Sequence, residues 1–249
     1  MASIVAVATQ FSPKRGALER NIGVMHHIAL DMSLQGAQII VFPELATCGG
    51  SMLSVRDAAL HAQPVDGWMT ERMLRAADDT GAVIIFGYVE SRNGSFYNSA
   101  LLVGPQGIIG NFSKRNLWGE DHFWAVPGDT PDNLTVNTHV GRVGVLISRD
   151  CENSLRRDPN SRQFYTKGSV DVVCVPVSWD TTQEFPDSSW TDLSAKLGCS
   201  VLISNRPSYE GENFIGGSCI IDSSGGVWTA GAERNGEGAV GAMIADRRR

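Results

Sequence analysis

The sequence predicts an α/β fold in a single domain, residues 1–249, on three observations. Short apolar runs of strand length alternate with stretches of helical period in the N-terminal part. Two segments, "YNSALLVGPQGIIGNFSK" and "GGSCIIDSSGGVWTAG", read as apolar run, Gly-rich turn, apolar run, the pattern of a β-hairpin. Three more buried runs lie between those hairpins, so the chain divides into two similar halves, each with parallel-type strands and one hairpin.

Taken in order, residues 4–8 (Ile4-Val5-Ala6-Val7-Ala8) form a first strand. They lack a basic flank and a cleavage-like end, which separates them from a signal peptide. Residues 17–35 carry Leu18, Ile22, Met25, Ile28 and Met32 at helical spacing, and Gly36 follows as a C-cap. Residues 38–42 make a second strand, closed by Pro43. A second helix is expected over 70–80, with Gly81 after it, and a third strand over 82–88. The hairpin around Gly104-Pro105 comes next, then the strands 143–147, 172–177 and 201–203, then the hairpin around Asp222.

Composition narrows the function. A net charge of −6 argues against nucleic acid as the main partner, because phosphate binding needs a basic surface. The closing Arg247-Arg248-Arg249 reads as a solvated tail. No apolar run approaches the roughly 20 residues of a membrane-spanning helix. Five cysteines, at 48, 151, 174, 199 and 219, are odd in number and lack a CxxC pair. That suits a reducing cytoplasm better than a disulfide framework or a zinc site. The histidines at 26, 27, 61, 122 and 139 show no HExxH spacing, and no phosphate-binding glycine loop occurs, so no metal and no cofactor are expected.

Each buried strand ends in polar chemistry. Strand 38–42 ends at Glu44, strand 143–147 at Arg149-Asp150-Cys151, strand 172–177 at Ser178-Trp179-Asp180, and strand 201–203 at Ser204-Asn205-Arg206. Ligands of open α/β sheets bind at the carboxyl ends of strands, so these ends are expected to share a pocket. Each residue alone has a plainer reading: Glu44 as a loop charge, Trp179 as core packing, the cysteines as buried thiols. Cys48, in a Gly-rich loop close to Glu44, is the rival to Cys151 as a reactive thiol.

"VFPELATCGG", "FSKRNLWGEDHFWAVPGD" and "VGVLISRDCENS" together resemble the nitrilase superfamily of carbon–nitrogen hydrolases. That family is marked by a Glu after Phe-Pro, a Lys after the hairpin and a Cys after a Gly-Val-rich strand. Here these fall on Glu44, Lys114 and Cys151. The resemblance implies a four-layer αββα sandwich of two mixed sheets flanked by helices, and self-association to a homodimer or larger homo-oligomer. It also implies Glu120 as a second acid beside the lysine and Trp179 as a pocket wall. Two stretches depart from the family pattern: "ENSLRRDPNSRQF" after Cys151 and "DLSAKLGCS" before Val201.

The implied chemistry is hydrolysis of a small linear amide, ω-amide or N-carbamoyl compound through a cysteine thioester, releasing ammonia or an amine. An amine is a poor leaving group, and covalent catalysis splits its expulsion into two easier steps. Glu44 takes the thiol proton, passes it to the departing nitrogen and then activates water. Lys114 stabilises the oxyanion, with the backbone N–H of Glu152 as a second donor. Arg149 and Arg206 are candidates to hold a substrate carboxylate. The same trio serves nitrile hydrolysis and acyl transfer. A non-catalytic binding or scaffold protein that retains the fold is the reading from a different class.

Overall fold

Strand runs rich in Val, Ile and Ala, bounded by Gly, Pro and Asn turns, fold into two six-stranded sheets. The computed structural model describes residues 3–50, 52–129, 135–151, 168–180, 188–207, 214–229 and 236–245. The first sheet contains β1 (Ser3–Gln10), β2 (Ala37–Val41), β3 (Val83–Arg92), β4 (Ser95–Gly104), β5 (Gly107–Ser113) and the late strand β12 (Gly238–Ala245). Their order is β12-β1-β2-β3-β4-β5. The second holds β6 (Thr135–Thr138), β7 (Gly141–Val145), β8 (Val172–Pro176), β9 (Ser200–Ser204), β10 (Cys219–Ile221) and β11 (Val227–Thr229), in the order β11-β10-β9-β8-β7-β6. β1, β2 and β3 run parallel, as do β7, β8 and β9; the flanking pairs are antiparallel.

Alternation of side chains across each strand makes both faces of both sheets apolar. The inner faces meet in one core: Ile4, Ile39, Val41, Ile85 and Leu102 from the first sheet against Val143, Val145, Cys174, Leu202 and Ile220 from the second. On the outer face of the first sheet lie α1 (Leu18–Leu34) and α3 (Trp68–Thr80), through Ile22, Met25, Met69 and Met73. On the outer face of the second lies α4 (Ser188–Leu197), through Trp190, Leu193 and Leu197. The result is the helix–sheet–sheet–helix sandwich that the family resemblance implies. Among the described residues, no helix is long and apolar enough to cross a membrane.

The expected strands and hairpins are present, with ends shifted by a few residues. Among the described residues, the elements not anticipated are α2 (Val55–His61), the 3-10 helix Gly119–Phe123, α4, β6 and β12. The tight β3–β4 connection was also missed. Asn93 and Gly94 both have positive φ, 52° and 78°, which is the Asn-Gly turn whose twist matches a two-residue hairpin.

Candidate active site

Three strand ends on the first sheet deliver a buried polar cluster. Glu44 follows β2, Lys114 follows β5, and Asn98 sits in β4 on the same inner face as Ala100 and Leu102. Their exposures are 3%, 4% and 1%. Asp121 joins them from a short 3-10 helix, Gly119–Phe123. The Lys114 Nζ donates to Glu44 Oε1 at 2.8 Å and to Asp121 Oδ2 at 2.6 Å. The Asn98 amide donates to Glu44 Oε1 at 2.8 Å and to Asp121 Oδ1 at 3.0 Å. One ammonium and one amide thus bridge two carboxylates. Burial by itself lowers the Lys114 pKa, but the Glu44 and Asp121 charges and their hydrogen bonds outweigh it and hold the ammonium above the ordinary lysine range.

The backbone around Glu44 is shaped for this placement. Gly87 of β3 donates its N–H to Pro43 O at 3.1 Å and accepts from Thr47 N at 3.2 Å. A Cβ at residue 87 would lie 2.6 Å from Glu44 Cα, so only glycine allows this approach. Leu45, the next residue, is held at φ 51°, a left-handed conformation costing about 1–3 kcal/mol for a side chain of its kind. Gly128 of the "PGD" stretch has the same role behind Lys114: its N–H donates to Lys114 O at 2.9 Å, and a Cβ there would meet Ser113 Cβ at 2.7 Å.

The second sheet supplies the facing wall. After β7 the chain turns at Ser148, which also has positive φ, 47°, and Arg149, Asp150 and Cys151 then take helical backbone. Asp150 is buried, and its Oδ1 accepts from Arg115 N (3.1 Å), Asn116 N (2.8 Å) and Asn116 Nδ2 (2.9 Å). The nucleophile turn expected from the sequence is therefore tied to the loop that follows Lys114. Burial pushes the Asp150 carboxyl up, against the pull of the Asn116 donors and the Lys114 and Arg115 charges. From β8, Ser178 Oγ donates to Glu44 O at 3.3 Å. From β9, Asn205 Oδ1 accepts from the N–H groups of Trp179 and Arg206, each at 3.0 Å.

These ends enclose a cavity of about 540 Å³, lined by Glu44, Lys114 and Asp121 on one side and by Ser148, Ser178 and Arg206 on another. Glu120, Arg149 and Trp179 also line it. Arg149 lies 4.2 Å over the Trp118 ring, and Arg206, 2% exposed, lies 3.6 Å over the Phe214 ring. The expected meeting of four strand ends is therefore present.

Two sequence expectations change in detail. The acid bonded to Lys114 is Asp121, not its neighbour Glu120; successive residues of a 3-10 turn point about 120° apart, so only one of the two can face the lysine. Cys151, 5% exposed, follows Asp150 on the turn after β7, in the same apolar cluster as the cavity-lining Trp179. Ser148 and Arg149 of that turn line the cavity. Cys48 is fully buried, and burial pushes its thiol up to about 12, which removes it as a rival nucleophile. Glu152 lies outside the described residues. Asn98 had a visible signal, a polar side chain ending the inward row Asn98, Ala100, Leu102. Asp121 had none beyond "GED".

The carbon–nitrogen hydrolase family model matches residues 4–248. A nitrilase from Pyrococcus abyssi is 33% identical over 170 residues, 68% of this chain and 63% of that protein. An (R)-stereoselective amidase from Pseudomonas sp. is 33% identical over 191 residues, 76% of this chain and 67% of that protein. The chain thus spans about two thirds of the length of these curated relatives. Among solved structures, an amidase from Nesterenkonia sp. superposes with a TM-score of 0.80 at 19% identity, covering 99% of this chain and 93% of that one. Saccharomyces cerevisiae Nit3, a nitrilase-superfamily member, gives 0.81 at 16% identity over 97% and 90%. These structural likenesses concern the fold.

Proposed function

The chain belongs to the carbon–nitrogen hydrolase family, and on that footing we propose that it hydrolyses the C–N bond of a small linear amide, ω-amide or N-carbamoyl compound through a thioester on Cys151, releasing ammonia or an amine. The observation that carries this reading is the buried Lys114 ammonium shared by Glu44 and Asp121 on the wall of a substrate-sized cavity. Glu44 takes the proton of the Cys151 thiol, on the turn after β7. It returns that proton to the leaving nitrogen and then draws one from water. Lys114 faces the oxyanion of each tetrahedral intermediate in a dry site, where a fixed charge is most effective. Asp121 keeps the lysine paired while Glu44 is protonated, so the cation stays in place through the cycle. Trp179 forms part of the wall, and Arg149 and Arg206 offer cationic groups to a substrate carboxylate.

Ammonia release over a panel of amides, carbamoyl compounds and nitriles tests the proposal. Release by the native protein on one class, reduced at least about a hundredfold in Glu44→Gln and in Lys114→Met, is the expected result. Release that survives Glu44→Gln overturns it. The second reading, a non-catalytic binding protein that retains the fold, is favoured by one observation: the stretch after Cys151 departs from the family pattern. Silence across the panel, with a ligand bound in the cavity, would support that alternative.

A further inference from the structure

We propose that Glu90 is a positioning residue for this reaction: from the outer face of the first sheet it anchors the ends of β4 and β5 that bring Asn98 and Lys114 to Glu44. The inference rests on the hydrolase reading above for its chemistry and on the sheet's geometry for its placement. Glu90 lies near the end of β3, on the same face as Phe86 and Tyr88, which pack outward. It is 1% exposed. It takes no part in the cluster of Glu44, Lys114 and Asn98, which meets on the opposite face.

A buried carboxylate needs hydrogen-bond donors in place of water. Glu90 Oε2 accepts from Ser99 Oγ at 2.6 Å and from Ser113 Oγ at 3.1 Å, and its Oε1 accepts from Asn111 Nδ2 at 2.9 Å. The Tyr88 hydroxyl donates to Asn111 Oδ1 at 3.0 Å, which turns the amide nitrogen toward Glu90. Arg92 Nη1 stands 3.6 Å from Glu90 Oε1. One carboxylate on β3 therefore holds side chains of both β4 and β5. Strands two apart in a sheet are separated by about 10 Å. The small Ser99 on the strand between leaves Glu90 room to cross that distance.

The donors are immediate neighbours of the site. Side chains alternate across a strand, so Ser99 points outward where Asn98 points inward, and Ser113 outward where Lys114 points inward. Ser99 and Ser113 are paired across β4 and β5. One residue further along, Lys114 N donates to Asn98 O at 2.7 Å. Fixing the two hydroxyls thus fixes the backbone from which Asn98 and Lys114 project. β5 depends on this most, because it is the edge strand of the first sheet and pairs within that sheet only with β4. The β4–β5 ladder also shifts register between Leu102 and Val103. A misplacement of about 1 Å in a positioned group costs about a hundredfold in rate, and Lys114 is carried on this edge.

The test compares the native protein with Glu90→Leu, Glu90→Gln and Ser113→Ala, with thermal melts to identify the folded variants. Two quantities are read: kcat and KM for ammonia release, and the pH midpoint of Cys151 alkylation by iodoacetamide, followed by peptide mapping. The fixed charge of Lys114 favours the thiolate, so a displaced lysine moves that midpoint upward. For Glu90→Leu the expected result is a kcat lower by about tenfold to a hundredfold, with KM changed less than about threefold. Its alkylation midpoint should rise by about 0.5 in pH or more. Glu90→Gln keeps an acceptor oxygen and should recover part of both effects, and Ser113→Ala should give smaller shifts in the same direction. If Glu90→Leu does not fold, Glu90→Gln and Ser113→Ala decide by the same readouts. A midpoint unmoved in every folded variant overturns the proposal, whatever the melting temperature does, because a merely structural role lowers stability alone. If the native protein is silent on every amide, the hydrolase reading falls and the alkylation midpoint decides the placement of Lys114 by itself, which keeps the two failures apart.

Discussion

Lys114 is the side chain on which the site's electrostatics turn. With 4% exposure and carboxylates at 2.8 and 2.6 Å, it neutralises part of a charge that burial would otherwise make prohibitive. Lys114→Met is expected to leave Glu44 and Asp121 buried without their cation and to cost about 3–5 kcal/mol, read from urea unfolding. The pH dependence follows from the direction of the shift. A lysine raised in the folded state contributes stability that is complete below its unfolded pKa of about 10.4 and is lost as pH rises through the higher folded value. In the native protein this contribution should therefore hold steady from neutrality to about pH 9 and fade only in stronger alkali. An unfolding midpoint that loses this contribution near neutrality, with Lys114→Met as reference, would contradict the pairing.

Between elements, two contacts set the distance across the cavity. Gly87 lets β3 approach the Glu44 turn, and Gly87→Ala places a methyl against backbone atoms of Glu44 and Leu45 that cannot swing aside. The expected cost is about 1–3 kcal/mol in stability with loss of activity. Retention of both, measured on one preparation, would show that the turn has slack. Asp150 links the turn after β7 to the loop after β5 through residues 115 and 116. Asp150→Ala is expected to reduce kcat by about tenfold to a hundredfold, with KM little changed and the fold retained, because the carboxylate positions other groups without touching substrate. Asp150→Asn keeps an acceptor oxygen for those N–H donors and should recover part of the loss; equal kcat values for the two variants would remove the positioning role.

At the scale of the whole molecule, the two sheets bury one another's inner faces and the helices cover the described parts of the outer ones. Several large apolar side chains remain outside, among them Leu34, Leu60, Trp118, Phe123 and Met243. We propose that the chain self-associates as its family resemblance implies, with part of this apolar surface as the contact. Light scattering on the full chain should give at least twice the 26.8 kDa of one copy. A monomer at all accessible concentrations would remove the proposal.

The sequence by itself determined the α/β class, both quoted hairpins, the strand ends that carry polar residues, and the pair Glu44 and Lys114. These are local or periodic signals: apolar runs of strand length, Gly-rich turns, and Phe-Pro before a glutamate. The β12 partner of β1 was not legible, because pairing Ser3 with Ala245 depends on closure across the whole chain. The selection of Asp121 over Glu120 as the acid bonded to Lys114 was decided only by the tertiary structure. The choice is between neighbours on one short turn, and a rotation of the backbone by one residue exchanges which side chain faces the lysine. Periodicity does not set that rotation. The 3-10 turn Gly119–Phe123 does, bringing Asp121 Oδ2 within 2.6 Å of Lys114 Nζ and 3.1 Å of Trp118 N.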